Sequence, residues 1–287
     1  MIGIIGGTGL GDALVDSLTD VQPHIFDTPF GKPSDAILVG RLGSNKAAFL
    51  NRHGAGHKLN PSSVPYAANI FAMKKLGVTA LVASGAVGSL RQDYEPKHLV
   101  LVDQFIDKTF RRQSTFFDRY GAVHCELAQP CCGRLRSHMV HAAKKVNTRV
   151  HATGTYVCME GPQFSTRAES MLHGAWGASL IGMTAMPEAK LAREAQMCYA
   201  LVALVSDYDC WQEHHGRTDK QLLLKEIIGN LSTATENAIA LIKALLETDG
   251  SLCDDSCPCR KSLELAVWTN SQAIDSQVKQ DLSVLFE

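Results

Sequence analysis

Two carboxylates, Asp207 and Asp209, close an apolar run of strand length that begins at Met197. Side chains alternate along a strand, so the pair leaves one face together and Tyr208 leaves the other. Repulsion between two such acids favours a proton on one of them near neutral pH, which is what a general acid needs. The plainer reading is a strand-end turn with solvated acids, because Asp is a common turn residue. A second apolar run ends in Arg52-His53-Gly54. Its planar guanidinium fork suits a phosphate, with an imidazole able to donate beside it. A rim arginine and a core histidine would look the same. Near the N-terminus, Gly6-Gly7-Thr8-Gly9 follows a third such run, and a loop of backbone N–H groups with the Thr8 hydroxyl can take an anion. The loop lacks the lysine of a P-loop and does not fit the dinucleotide fingerprint, so a tight turn is an equal reading. Glu160 stands at another strand end, close in sequence to Phe164, where a Gly-Pro turn with a solvated acid is as good an account.

The elements that must position these residues alternate in type. Residues 2–5, 36–40, 47–50, 78–83, 99–103, 155–159, 179–183 and the run from 197 read as strands. Residues 64–76, 132–146, 168–176, 186–196 and 220–246 have helical periodicity. This alternation predicts an α/β fold, a single domain with a central parallel or mixed sheet flanked by helices. In such sheets ligands sit at the carboxyl ends of strands, where the candidate residues lie. Residues 84–89 read as a second small-residue loop, residues 108–119 as a mobile surface loop, and the leucine-rich face of 220–246 as core packing. No linker precedes residue 247, so residues 1–287 form one unit with 247–287 as a C-terminal extension.

Composition narrows the partners. With 28 basic and 29 acidic residues there is no global field to attract nucleic acid or a membrane surface, and a small ligand is expected. The first residues lack the basic start of a signal peptide, and no stretch approaches the roughly 20 apolar residues of a membrane helix. Most of the nine cysteines sit in apolar segments, as buried thiols of a reducing cytoplasm do. Cys253, Cys257 and Cys259 cluster in CDDSCPC. A structural zinc normally wants four ligands, and no nearby histidine completes the set. Free or locally oxidised thiols in a polar turn are expected, with no metal.

Taken together, GGTG at 6–9, DTPFGKPSD at 27–35, RHG at 52–54, PYAANI at 65–70, DQFIDKT at 103–109, MEGPQFSTRAES at 159–170, GMTAMPEA at 182–189 and SDYDCW at 206–211 carry a resemblance. The chain resembles the trimeric purine nucleoside phosphorylase superfamily, most closely its methylthioadenosine phosphorylase branch. The resemblance implies phosphorolysis of a purine N-glycosidic bond in purine and methionine salvage, by a cytoplasmic homotrimer. It implies no cofactor, inorganic phosphate being a co-substrate. It assigns Thr8, Arg52, His53, the backbone at Ala86 and Thr184 to phosphate, and Met183 to the ribose. Phe164 would lie against the purine, with Asp207 protonating N7 and Asp209 accepting from the 6-amino group. His124, Leu223 and Leu224 would line a methylthio pocket, with Leu285 reaching in from a neighbouring subunit. By resemblance Asp207, where 6-oxopurine relatives carry Asn, argues for adenine, since an ionised carboxylate repels O6. Two departures stand out. Gly85 occupies a position that commonly bears a hydroxyl, and Gly182 replaces an Asn of some adenine-specific relatives, resembling the 6-oxopurine branch. The alternatives are a 6-oxopurine nucleoside or methylthioinosine phosphorylase and a non-catalytic purine-nucleoside binding protein. A nicotinamide-dinucleotide enzyme is disfavoured by the first loop.

Overall fold

The computed structural model describes residues 1–7, 9–42, 45–212, 220–248 and 252–287, apart from the side chain of Asp12. Eleven strands of the described residues form one mixed sheet: β1 Ile2–Gly6, β2 Thr19–His24, β3 Ile37–Leu42, β4 Asn45–Asn51, β5 Ala80–Ser89, β6 Leu99–Leu101, β7 Gln104–Asp107, β8 Val150–His151, β9 Thr155–Cys158, β10 Leu180–Gly182 and β11 Cys198–Tyr208. Among the described residues seven α-helices accompany them: α1 Leu10–Val15, α2 Tyr66–Lys75, α3 Gly133–Ala142, α4 Arg167–Ala175, α5 Glu188–Glu194, α6 Lys220–Leu246 and α7 Ser276–Asp281.

Strands β5 and β11 pair in parallel along nearly their whole length and form the spine of the sheet. Both are almost wholly apolar because both faces are covered. Leu81, Ala83 and Val87 of β5, with Tyr199, Leu201, Ala203 and Val205 of β11, join α2 and α5 in one core. The alternate residues Ala80, Val82, Cys198, Ala200, Val202 and Leu204 join α1, α3 and α6 in a second. The C-terminal segment belongs to the first core through Val278, Leu282 and Leu285.

One feature of the sheet makes room for a ligand. Along its other edge β5 pairs with β1 at residues 80–83 and with β10 at residues 88–89, leaving residues 84–87 without a strand neighbour on that side. Small side chains at Ser84, Gly85 and Ala86 suit this gap. These residues are not the loop that their composition suggests: β11 pairs with them and holds them extended.

A second expectation is corrected at residues 108–119. The segment is anchored rather than loose, because Phe116 and Phe117 are buried and the Arg112 side chain is 2% exposed. Arg112 pairs with Glu160 and also donates to the Met183 carbonyl at 2.7 Å. Glu160 accepts from the backbone N–H groups of Phe110 and Arg111. Burial would raise the pKa of Glu160, but the Ser62 hydroxyl, these N–H groups and Arg112 overcome it and hold the acid at about 2. Glu160 therefore fastens the segment.

Glu194 fastens the same segment at a cost. It accepts from the Phe116 N–H at 2.7 Å, and burial raises its pKa from 4.5 to about 7. The folded state thus holds a proton that the unfolded chain has lost. This favours folding below pH 4.5 and is lost as pH rises through about 7. Glu194→Gln should remove up to about 3 kcal/mol of the stability lost between pH 5 and pH 8. Urea titrations of both proteins at the two pH values would test this; an unchanged pH slope in the variant would refute it.

Candidate functional site

The gap beside β5 opens into a cavity of about 710 Å³ lined from the C-terminal parts of six strands and from α6. Of the residues singled out above, Arg52, His53, Ala86, Phe164, Met183, Thr184, Asp207, Asp209, Leu223 and Leu224 all line it. Thr8 lies outside the described residues. His124 and Leu285 are not among the lining residues.

Arg52 follows the end of β4 and is 1% exposed. Its planar fork is not free for phosphate, because Nε and Nη2 make a bidentate pair with Glu188 at 2.8 and 3.0 Å. Nη1 donates to the Ser84 carbonyl at 2.7 Å, and Nη2 reaches the Ile5 carbonyl at 3.4 Å. Four of the five guanidinium donors are thus used within the protein, leaving one N–H on Nη1 for an anion. Burial disfavours the charge, but the Glu188 carboxylate outweighs it and raises the pKa of Arg52. Tyr199 completes the arrangement by donating to Glu188 at 3.0 Å. Glu188 and Tyr199 are functional neighbours that the sequence reading missed. Local sequence offers little signal for Glu188, because α5 also carries Lys190, Arg193 and Glu194.

His53 also differs from expectation. Its Nδ1 lies 2.8 Å from the Leu59 carbonyl. A carbonyl only accepts, so Nδ1 carries the hydrogen, and in the neutral ring Nε2 accepts. Burial lowers the pKa to about 4, keeping the ring neutral at physiological pH. Nε2 of His53 is therefore an acceptor instead of the donor predicted from its type.

Backbone donors are better placed. The Ser84 carbonyl faces the gap, since it accepts from Arg52, whereas the Val87 carbonyl faces β11, 3.2 Å from the Ser206 hydroxyl oxygen. Backbone groups alternate along an extended strand, so the N–H of residue 86 turns to the gap like that of residue 84. Gly85 lies between them. A Cβ there would sit 3.2 Å from the Thr184 hydroxyl, so the missing side chain leaves space for that hydroxyl.

On the opposite wall, the register of β11 shifts between Val205 and Asp207. This irregularity at Ser206 directs the strand end over the cavity. The Ser206 hydroxyl donates to Asp207 Oδ1 at 2.5 Å, and Asn230 of α6 ties the Ser206 carbonyl at 3.1 Å. The Asp209 N–H donates to the Ser89 carbonyl at 2.9 Å, fixing that residue beyond the strand. Asp209 Oδ2 is buried and has no hydrogen-bond partner among the described residues. The two acids thus sit in different settings: one is held by a hydroxyl, and the other has an oxygen enclosed by protein without a partner among the described residues.

Gly182 has a steric cause. A Cβ at this position would lie 2.0 Å from the Tyr156 hydroxyl, so no side chain fits while Tyr156 is there. That hydroxyl in turn accepts from the Thr184 N–H at 3.4 Å. Gly182→Ala should destabilise the protein by about 1–3 kcal/mol through overpacking. Tyr156→Phe should restore only part of this, since the ring carbon itself lies 2.6 Å from the added Cβ. Denaturant midpoints of the three variants would check the order; a neutral Gly182→Ala would refute it.

The outer pocket residues divide. Leu223 is half-buried and Leu224 is 57% exposed, both at the mouth with Phe164, which is 87% exposed. His124 is instead on the outer surface, edge-on to the exposed Trp268. Leu285 is corrected outright: it is fully buried in the core of its own chain, and its carbonyl accepts from Gln196 at 2.9 Å. It is not placed to reach a neighbouring subunit. The cysteine expectation also changes. Cys257 and Cys259 meet Cys132 and Cys198, which are distant in sequence, whereas Cys253 is not one of the four.

The profile of the phosphorylase superfamily matches residues 1–247. An S-methyl-5'-thioadenosine phosphorylase of Cereibacter sphaeroides is 47% identical over 99% of this chain and 97% of its own. One of Hyperthermus butylicus is 45% identical over 93% and 95%. A methylthioadenosine phosphorylase crystal structure from an Antarctic soil metagenomic library superposes with a TM-score of 0.88, at 41% identity over 99% and 98% of the two chains. The Schistosoma mansoni methylthioadenosine phosphorylase in complex with adenine gives 0.78, at 32% identity over 99% and 97%.

Proposed function

The chain belongs to the phosphorylase superfamily, and from that premise we propose that it cleaves the N-glycosidic bond of 5'-methylthioadenosine with inorganic phosphate. The products are adenine and 5-methylthioribose 1-phosphate, and the enzyme is a pentosyltransferase of the purine nucleoside phosphorylase type. The observation that carries the choice of base is the pair Asp207 and Asp209 on the cavity wall, where Asp209 as a carboxylate calls for a hydrogen-bond donor from the ligand. The 6-amino group of adenine supplies such a donor; the O6 of a 6-oxopurine does not. The Gly182 departure does not count against adenine, because Tyr156 accounts for it.

Phosphate enters the gap at β5, where the residue 86 N–H, the remaining Arg52 donor and Thr184 hold it below the sugar. As the glycosidic bond stretches, the sugar takes on oxocarbenium character and negative charge moves to the base. The phosphate oxygens stabilise the cation and one of them attacks C1', while Asp207 delivers a proton to N7. Met183 lies under the ribose, with its carbonyl held by Arg112. Leu223 and Leu224 offer the 5' group an apolar wall, which favours a thioether over a hydroxyl that would lose its hydrogen bonds.

We place the enzyme in methionine and purine salvage as a cytoplasmic homotrimer. Phe110, Phe164, Leu265 and Trp268 are each at least 75% exposed, an apolar load that subunit contacts would cover. All nine cysteines are without disulfides, as in a reducing compartment, and no described helix is long and apolar enough to cross a membrane. Product analysis tests the reaction. Methylthioadenosine with phosphate should yield adenine and the sugar phosphate, and neither without phosphate. Release of hypoxanthine from methylthioinosine with no adenine from methylthioadenosine would overturn the assignment.

A further inference from the structure

Four cysteine sulfurs converge far from the cavity lining, on the opposite end of β11 from Asp207. Cys132 caps the N-terminus of α3, Cys198 opens β11, and Cys257 and Cys259 flank Pro258 in the C-terminal segment. All four side chains are buried, and their sulfurs all lie within 4.8 Å of one another. Cys257 Sγ is 3.7 Å from Cys132 Sγ and 3.4 Å from Cys198 Sγ. A tetrahedral zinc with sulfurs at about 2.3 Å sets neighbouring sulfurs about 3.8 Å apart. A disulfide would need about 2.05 Å, and all nine cysteines are free. From this geometry we infer that Cys132, Cys198, Cys257 and Cys259 form a structural four-thiolate zinc site that ties the C-terminal segment to the sheet.

A buried thiol is often no more than a small apolar side chain. That accounts for one cysteine in a core but not for four sulfurs from three separate stretches of chain directed at one point. The surroundings suit thiolates as well. The Leu135 N–H donates to Cys132 Sγ at 3.5 Å, and Arg193 Nη1 donates to Cys259 Sγ at 3.7 Å. Such outer hydrogen bonds orient metal ligands and spread their charge. One Zn²⁺ and four thiols give a four-thiolate complex of charge −2 and release four protons, with no oxidation or reduction. The buried Arg193 offsets part of that charge. With no open position the ion would be structural: closed four-cysteine sites hold folds together, whereas catalytic zinc keeps a free coordination site. The segment it secures carries Leu285 into the core and places the Glu287 carbonyl 3.0 Å from Lys74 of α2.

The test is metal analysis of the full chain, expressed in zinc-supplemented medium and purified without chelators. About one zinc per chain is expected, and cobalt substitution should give the intense thiolate-to-cobalt charge-transfer bands and visible absorption of a tetrahedral sulfur site. Cys257→Ser with Cys259→Ser should lower the bound zinc to near zero, whereas Cys253→Ser should leave it at one. If the double variant is insoluble, the wild-type zinc content and cobalt spectrum decide by themselves. Wild-type protein without stoichiometric zinc, with the four thiols alkylated freely or paired in a disulfide on intact mass, would overturn the proposal.

Discussion

Replacing Asp207 by Asn should lower kcat for methylthioadenosine phosphorolysis by about 10²–10⁴-fold, the usual contribution of a positioned general acid. The substitution is nearly isosteric and keeps an oxygen for the Ser206 hydroxyl, which lies 2.5 Å from Asp207 Oδ1. The wall of the cavity should survive while the proton is lost. An amide can donate a hydrogen bond to N7 but cannot transfer a proton, so the purine would leave as an anion. The loss should therefore depend on the leaving group. An aryl riboside whose phenolate departs unprotonated should be cleaved by the variant at close to the wild-type rate. Activity on 6-oxopurine nucleosides should fall less than activity on methylthioadenosine, since the new amide can donate to O6. Near-normal turnover of methylthioadenosine by Asp207→Asn would refute its role as acid. An equal loss on the aryl riboside would point instead to damage to the site.

These outcomes depend on a wall whose composition, but not whose construction, was legible in the sequence. Asp207 and Asp209 could be singled out because two acids after a long apolar run are conspicuous. The elements were legible for the same reason: short apolar runs locate β1, β4, β9 and β10, and 3.6-residue periodicity locates α6. Residues 84–89 were read as a loop because glycine and alanine carry little strand propensity, and only pairing with β11 holds them extended. Buried arginine chemistry was hidden more deeply. Arg52 was recognised as a cation, but its partner lies 136 residues further along the chain, and nothing local assigns its fork to a carboxylate before a phosphate. The same holds for the cysteines. CDDSCPC offered three thiols, whereas the four that meet include two contributed by α3 and β11. Spacing exposes sites built from one segment and conceals those that the sheet assembles. The shift of His53 from donor to acceptor is a further case, because it depends on which nitrogen meets the Leu59 carbonyl.

Glu188→Ala should cost about 3–5 kcal/mol of stability. Arg52 and Glu188 are each 1% exposed, so removing the acid leaves a guanidinium buried with, among the described residues, the Ser84 and Ile5 carbonyls as partners. The arginine cannot escape by shedding its proton, because a guanidinium stays charged in proteins. Glu188→Gln should be milder, retaining one acceptor while turning an amide N–H toward a donor. Replacing both partners, Arg52→Met with Glu188→Leu, should be less destabilising than Glu188→Ala alone, since no charge is then stranded. That double variant should nevertheless lose most phosphate-dependent activity, because the one guanidinium donor facing the anion has gone with the pair. The two readouts separate two roles of the acid. As a buried partner it keeps Arg52 folded in, and as an anchor for Nε and Nη2 it leaves a single Nη1 hydrogen for phosphate. Urea midpoints would report the first role, and the phosphate KM of Glu188→Gln, expected to rise with little change in the methylthioadenosine KM, would report the second. Equal stability of Glu188→Ala and the wild type would mean that the pair does not hold Arg52 in place. An unchanged phosphate KM would mean that the anion is bound by the backbone of residues 84–86 and Thr184 without it.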